Sequence, residues 1–209
     1  MYTYFPSCNF TKASMKTAIK VRKYFKERMN VGGCCLHDCK TYNDDDIGII
    51  VCQRCRQELE PKLDIISIWE YLDQDEDFVF PDYHGVKMNI QDCYRDREHP
   101  EVHEAMRSIL RKINVDYIEI ENNRENADFC ETLYCVPKSD ELKAEVAKYP
   151  NTETLNLPED LKLALMKEHV SQYSQEYIVC DCNRCLKGIQ LGGGKGIHLL
   201  DLVFGDMTL

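Results

Sequence analysis

The chain has 209 residues, 44% of them hydrophobic and 30% charged, which is enough for one large or two small globular domains and a core without cysteine staples. Its net charge of −10 argues against nucleic acid as the main ligand, because phosphate binding rests on cationic surface. The 12 cysteines therefore call for a chemical explanation rather than a structural one. Met1 to Pro6 carries neither a basic segment nor an apolar one of the secretory kind, and no uncharged apolar run approaches the roughly 20 residues of a membrane span. A disulfide scaffold would imply export, so the expectation is a cytoplasmic protein with reduced, metal-bound thiols and no direct membrane insertion.

Tyr2 to Phe5 is a short strand-like run stopped by Pro6, with Cys8 directly behind it. Lys12 to Arg28 reads as one helix: Ala18, Val21 and Phe25 form its apolar stripe, and Lys12, Lys16, Lys20, Lys23 and Lys26 form a solvated basic face. Past Gly32-Gly33 come Cys34, Cys35 and Cys39, then a polar loop through Asp44 to Asp46. Ile49-Ile50-Val51 is a strand that delivers Cys52-Gln53-Arg54-Cys55 to the start of a helix, where unpaired amides and the helix dipole favour thiolates. Ile65 to Leu72 closes this half. The acidic connection Asp73 to Asp77 places a boundary near residue 80, giving cysteine-rich halves 1–80 and 81–209.

Val86 to Ile90 alternates as a strand and delivers Cys93, and Pro100 opens a helix to about Ile113 with Val102, Met106, Ile109 and Ile113 on one side. Val115 to Ile120 alternates as a strand with one wet face. Cys130 and Cys135 follow in a loop, and Lys138 to Lys148 and Pro158 to Gln172 read as a helical insertion near 138–172. Tyr177 to Cys180 is the last strand, leading to Cys182-Asn183-Arg184-Cys185. Gly192-Gly193-Gly194 is a turn rather than a phosphate loop, since no strand feeds it, and the apolar segment Ile197 to Leu202 ends the half. His198 within that segment reads as a packed or capping residue. The order strand, cysteine, helix, cysteine loop, strand, Cys-x-x-Cys thus occurs twice, with arginine before the last cysteine each time. The expected fold class is α/β: two pseudo-twofold-related β-α halves with parallel strands, their cysteine loops at the carboxyl ends of strands and meeting at a shared cleft.

Five cysteines in the first half exceed the four of a tetrahedral zinc, and an adjacent pair suits a multi-iron cluster. A lone cysteine after the first strand, a Cys-Cys pair and a later Cys-x-x-Cys are here Cys8, Cys34-Cys35 and Cys52/Cys55. This pattern resembles the cysteine-rich CCG domains of the heterodisulfide reductases and related iron–sulfur oxidoreductases. The second half is similar in Asp92-Cys93-Tyr94-Arg95, Cys130, Cys182 with Cys185, and His198, so the resemblance spans nearly the whole chain. It implies that Cys8, Cys34, Cys35, Cys52 and Cys55 bind a noncubane 4Fe-4S cluster at which a thiol or disulfide substrate reacts. The second set departs from the pattern, with Phe129-Cys130 where a cysteine pair is expected. Cys93, Cys130, Cys182 and Cys185 then suit either a cubane 4Fe-4S cluster or a structural zinc, while Cys135 or Cys180 would restore a fifth ligand. Leu36 and Glu131 stand where the family has glycine after each pair. Cys39 and Cys180 otherwise read as small buried hydrophobes.

No glycine pattern for nucleotide binding follows the first strand, and no ferredoxin-like cysteine run is present, so a ferredoxin-like or flavin-containing partner is expected to supply electrons. Three functions fit: a redox subunit that reduces or forms a disulfide, an electron relay for a flavoprotein hydroxy-acid dehydrogenase, and a zinc-stapled interaction module without enzymatic activity. No catalytic side chain stands out beyond the cysteines.

Overall fold

The computed structural model describes residues 1–35, 42–205 and 207. The first half runs β1 (Tyr2–Phe5), α1 (Cys8–Ala13), α2 (Met15–Lys26), β2 (Asn30–Val31), β3 (Ile47–Ile50), α3 (Gln53–Leu59), β4 (Asp64–Ser67) and α4 (Ile68–Gln74). The second runs β5 (Val86–Gln91), α5 (Pro100–Lys112), β6 (Val115–Glu119), β7 (Phe129–Cys130), β8 (Tyr134–Cys135), α6 (Asp140–Val146), α7 (Glu159–Val170), β9 (Tyr177–Cys180), α8 (Asn183–Leu191), β10 (Lys195–His198) and α9 (Leu199–Phe204). The protein is α/β, with two four-stranded sheets in the orders β2-β1-β3-β4 and β6-β5-β9-β10 and every pairing within them parallel. Setting aside the antiparallel hairpin β7/β8, both sheets have the same order: second, first, third, fourth strand of the half.

β3 is an interior strand because Ile49 and Ile50 are buried on its two faces, and it registers Ile49 against Tyr4 on one side and Ile66 on the other. In β5 the apolar residues Met88 and Ile90 alternate with Asn89 and Gln91, which are also buried but used. Asn89 Oδ1 accepts from the backbone of Ser174 and Gln175 at 2.8 Å, and Gln91 Oε1 from Tyr173 Oη at 2.6 Å. α5 starts at Pro100 and buries Val102, Met106 and Ile109, as its spacing predicts. The two inserted helices, α6 and α7, are present within 138–172.

The structure differs from the sequence expectation in three places. The helix expected over Lys12 to Arg28 is broken at Ser14, whose φ of −136° and ψ of 65° end α1 and start α2. The Ser14 hydroxyl donates to Asp201 at 2.8 Å, so a distant carboxylate holds the break. β2 and the β7/β8 hairpin are two residues per strand, too short for any periodic signal. The terminal apolar segment divides into β10 and α9, matching β4 and α4 of the first half.

One apolar core serves both halves: Tyr4, Phe25, Ile49 and Trp69 pack in the same cluster as Met88, Met106, Ile109 and Leu200. α4 packs on α5 and α9 packs on α2, so the last helix of each half covers the long helix of the other. Residues 75–85 between the halves form neither helix nor strand, yet Phe78, Phe80 and Tyr83 pack against that core. No helix among the described residues is long and apolar enough to cross a membrane.

Candidate metal centre

Parallel strands deliver cysteines at their carboxyl ends: β1 to Cys8, β2 to Cys34, β3 to Cys52, β5 to Cys93 and β9 to Cys182. In the second half, Cys93 caps the short 3-10 turn Tyr94–Asp96, its Sγ accepting from the Arg95 N–H at 3.5 Å. Cys130 ends β7. Cys182 caps α8, and Cys185 in the first turn of that helix donates to the Phe129 carbonyl at 3.5 Å. The sulfurs of Cys93, Cys130, Cys182 and Cys185 all lie within 4.8 Å of one another. Cys93, Cys130 and Cys185 are fully buried and Cys182 half-buried. Four soft donors converging in an apolar surround fit a thiophilic metal ion or an iron–sulfur cluster.

Without a cation this crowd stabilises one thiolate. Hydrogen bonds from Cys182, Cys185 and Cys93 hold Cys130 far below the ordinary thiol range. The bond to Cys130 pushes Cys93 up, and burial pushes Cys185 up. A metal cation reverses that preference and lets every ligand thiol lose its proton.

Cys135 and Cys180 lie outside the group of four. Cys135 pairs across the hairpin with Phe129 and turns its Sγ to the Leu165 carbonyl at 3.9 Å. Cys180 is fully buried between the carbonyls of Cys182 and Ile197, at 3.7 and 3.8 Å. Cys39 and Leu36 fall outside the described residues. Glu131, directly after Cys130, is completely buried and accepts from Lys187 Nζ at 3.0 Å, with Arg184 Nη1 at 3.6 Å, which ties the Cys130 hairpin to α8. Gly188 permits that close approach, since a Cβ there would sit 2.6 Å from the Phe129 ring and 2.9 Å from Glu131 Cβ.

In the first half, Cys52 caps α3 and its Sγ is 3.5 Å from that of Cys55. Cys35 is hydrogen bonded to Cys55 and within electrostatic reach of Cys52, Cys34 and Cys8, but among the described residues only the four cysteines of the second half bring their sulfurs within 4.8 Å of one another; the five of the first half are near neighbours and not a closed ligand set. Cys8 is exposed, Cys34 and Cys52 half-buried, Cys35 and Cys55 buried. The Cys55 thiol, the backbone N–H groups of Cys55 and Arg54 and the Ser7 hydroxyl all donate to Cys52, bringing it down to about 6, a thiolate at neutral pH. Burial pushes Cys35 up, and donation to Cys52 pushes Cys55 up.

Between the two sets lies a cavity of about 260 Å³. Cys52, Gln53 and Arg54 line it from the first half; Cys93, Arg95, Asp96, Asp181, Cys182, Asn183 and Arg184 line it from the second. Asp96 and Asp181 are buried and hydrogen bonded to each other; desolvation raises Asp96 to about 7 and Asp181 well above the carboxylate range, so the pair keeps a proton near neutrality. Behind Cys93, Asp92 is fixed on three sides. It takes a two-point bond from the fully buried Arg107 at 2.6 and 3.1 Å, its N–H donates to Asn123 Oδ1 at 2.7 Å, and it accepts from the Arg124 N–H at 2.9 Å. Arg107 also bonds Glu119 at 2.6 Å. His198 is a cap and a packing residue: its Nδ1 accepts from the Leu200 N–H at 3.2 Å and its ring lies 4.5 Å from that of Phe10.

Gln53, Asp96, Asp181 and Arg107 were not singled out by the sequence. The one available signal was inside the repeat itself, where Gln53 and Asn183, and Arg54 and Arg184, hold the same two places between the cysteines and all four side chains line the cavity. Comparison with protein-family models, with curated proteins and with solved structures found no match for this chain.

Proposed function

We propose that the chain is an iron–sulfur redox subunit that reduces or forms a disulfide in the cavity between its two cysteine sets, with electrons from a ferredoxin-like or flavin-containing partner. The observation that carries this reading is that Cys52 of one set and Cys93 and Cys182 of the other line a single cavity. The equal strand order of the two sheets supports a pseudo-twofold that brings both sets of loops to this shared cleft, and the resemblance to the CCG domains points the same way.

Cys8, Cys34, Cys35, Cys52 and Cys55 would hold a 4Fe-4S cluster of the noncubane kind, and Cys93, Cys130, Cys182 and Cys185 a second cluster. Bound there, such clusters supply single electrons and a site of high affinity for sulfur. Reduction of a disulfide takes two electrons and two protons and breaks one S–S bond to give two thiols. The protein's own contribution is positional. Gln53 and Asn183 offer amides to the substrate backbone or polar groups, Arg54, Arg95 and Arg184 supply positive charge, and the Asp96–Asp181 pair keeps a proton next to the cysteines.

A second reading is favoured by the spacing in the second half. Sulfurs on a tetrahedral zinc are separated by about 3.8 Å, given a Zn–S bond of about 2.3 Å, which is compatible with four sulfurs within 4.8 Å of one another. A four-iron cubane sets a separate iron under each sulfur and needs the ligands to spread. On this reading the second half is zinc-stapled and the first set alone exchanges electrons.

Iron, acid-labile sulfide and zinc per chain after anaerobic purification test both, with electron paramagnetic resonance before and after addition of a disulfide. About eight irons and a disulfide-altered signal support two clusters, and about four irons with one zinc support the second reading. Zinc without iron overturns the redox function and leaves an interaction module.

A further inference from the structure

Beside the cysteine-lined cavity lies another, of about 320 Å³, and Gln53 and Arg95 line both. Arginine dominates its charge: Arg56, Arg95 and Arg97 face Glu60 and Glu98. Arg56 follows Cys55 directly, and its side chain is only 7% exposed. Its Nε and Nη2 are buried without a hydrogen-bond partner. The nearest carboxylates, Glu60 and Glu101, stand 3.8 and 4.0 Å away, beyond hydrogen-bond reach. A guanidinium stays charged in any surround and offers donors in a fixed fork, so buried donors without acceptors favour a negatively charged oxygen group brought from outside.

Arg95 strengthens the same site. Its backbone is tied to Cys93 Sγ at 3.5 Å, while its guanidinium has no ion pair or hydrogen bond among the described residues. Arg97 is held across the mouth, donating to the Glu125 carbonyl at 3.1 Å with its guanidinium carbon 4.9 Å from the centre of the Tyr94 ring. A ligand whose oxygen atoms accept from Arg56 and Arg95 would place its next few atoms along Gln53, toward Cys52 and Cys93.

We propose that this second cavity is an oxyanion subsite, and that the ligand of the cysteine cavity carries a carboxylate or phosphate group held by Arg56 and Arg95. The sulfur end of that ligand rests on the thiol and disulfide reading above; the anionic end does not.

The full chain, purified anaerobically, is titrated by calorimetry with four probes: 3,3′-dithiodipropionate, suberate as its sulfur-free isostere, bis(2-hydroxyethyl) disulfide as an uncharged disulfide, and inorganic phosphate. Both dicarboxylates are expected to bind at least tenfold more tightly than the uncharged disulfide. Arg95→Gln and Arg56→Gln should each weaken them by about ten- to a hundredfold, the loss that follows removal of a hydrogen bond to a charged group. Arg95→Gln keeps the test decisive if Arg56→Gln fails to fold, because the Arg95 guanidinium has no partner to lose among the described residues. Phosphate binding that disappears in Arg95→Gln assigns a phosphoryl group, and suberate binding with the same dependence but no phosphate binding assigns a carboxylate. Equal affinity for suberate and dithiodipropionate keeps the subsite and defeats the disulfide reading. Dicarboxylates that bind no better than the uncharged disulfide, or equally well to Arg95→Gln, overturn the subsite.

Discussion

The side-chain amide of Gln53, between the two cysteines of the first Cys-x-x-Cys, donates to Asp96 Oδ1, three residues beyond Cys93. Asp96 is bonded in turn to Asp181, the neighbour of Cys182. Three side chains therefore link the loops that carry Cys52, Cys93 and Cys182, and each depends on the next for its hydrogen bond in a buried place. Gln53→Ala removes the first donor and leaves a buried carboxyl short of a partner, a loss of about 1–3 kcal/mol in urea unfolding. Gln57→Ala, on the exposed face of the same helix, should stay within about 0.5 kcal/mol.

Cysteines inside and outside the group of four should separate cleanly. Cys130→Ser removes the sulfur that the other three approach, so metal bound in the second half, counted by elemental analysis, should be lost. Cys135→Ser should keep the metal and lower stability by about 1–3 kcal/mol, because it places a hydroxyl in a site where the sulfur behaves as an apolar atom.

Arg107 is the charge on which the Cys93 loop rests. Arg107→Met leaves Asp92 without its counter-ion in a fully buried position and should cost about 3–5 kcal/mol in denaturant unfolding. Adding Asp92→Asn should recover part of that loss, since the orphaned charge is then gone. Two independent losses that simply add would show that the pair does not act as one unit.

Gly188→Ala sets two effects against each other. Alanine favours the helix by about 1 kcal/mol. Its Cβ, however, would meet the Phe129 ring at 2.6 Å and both Glu131 Cβ and Met166 Sδ at 2.9 Å. Overpacking of this kind costs about 1–3 kcal/mol, so the variant should melt at lower temperature and bind metal less tightly as α8 moves away from β7.

His169 gives a pH signature away from the cysteines. Its ring stacks on Phe129 with centroids 3.8 Å apart and Nε2 bonds Gln91 at 2.7 Å, and desolvation lowers its pKa from 6.5 to about 3. Unfolding frees the imidazole to take up a proton below its ordinary value. The stability it confers is therefore complete above pH 6.5 and declines as pH falls toward 3, by up to about 1.4 kcal/mol per unit. His169→Phe should be less stable at neutral pH but show a flatter stability profile between pH 6 and 4. An unchanged slope would mean that His169 already carries its proton in the folded protein.

Strands β1, β3, β5 and β9, and the cysteines behind them, were legible because a short β-branched or alternating run followed by cysteine is a local pattern. The break at Ser14 was not, since it depends on Asp201, 187 positions away. The exclusion of Cys135 and Cys180 was legible in part: spacing left them outside the set of four as optional fifth ligands, and the pairing of Cys135 across from Phe129 and the turn of Cys180 toward two carbonyls decide between the alternatives. Asp96 and Asp181 are two acids among 36 acidic residues, and nothing but burial marks them. His198 did carry a usable signal, an isolated polar residue in an apolar segment, and it is a cap.

The exchange of terminal helices, α4 onto α5 and α9 onto α2, means that neither half completes its packing without the other. Phe10, two residues after Cys8, rests on His198, so the loop bearing the first cysteine gains part of its support from the far end of the second half. A growing chain would present the thiols of the first set without fixed geometry, open to oxidation or to the first metal that arrives. The two cysteine sets are successive in the chain, yet each half is covered by the last helix of the other.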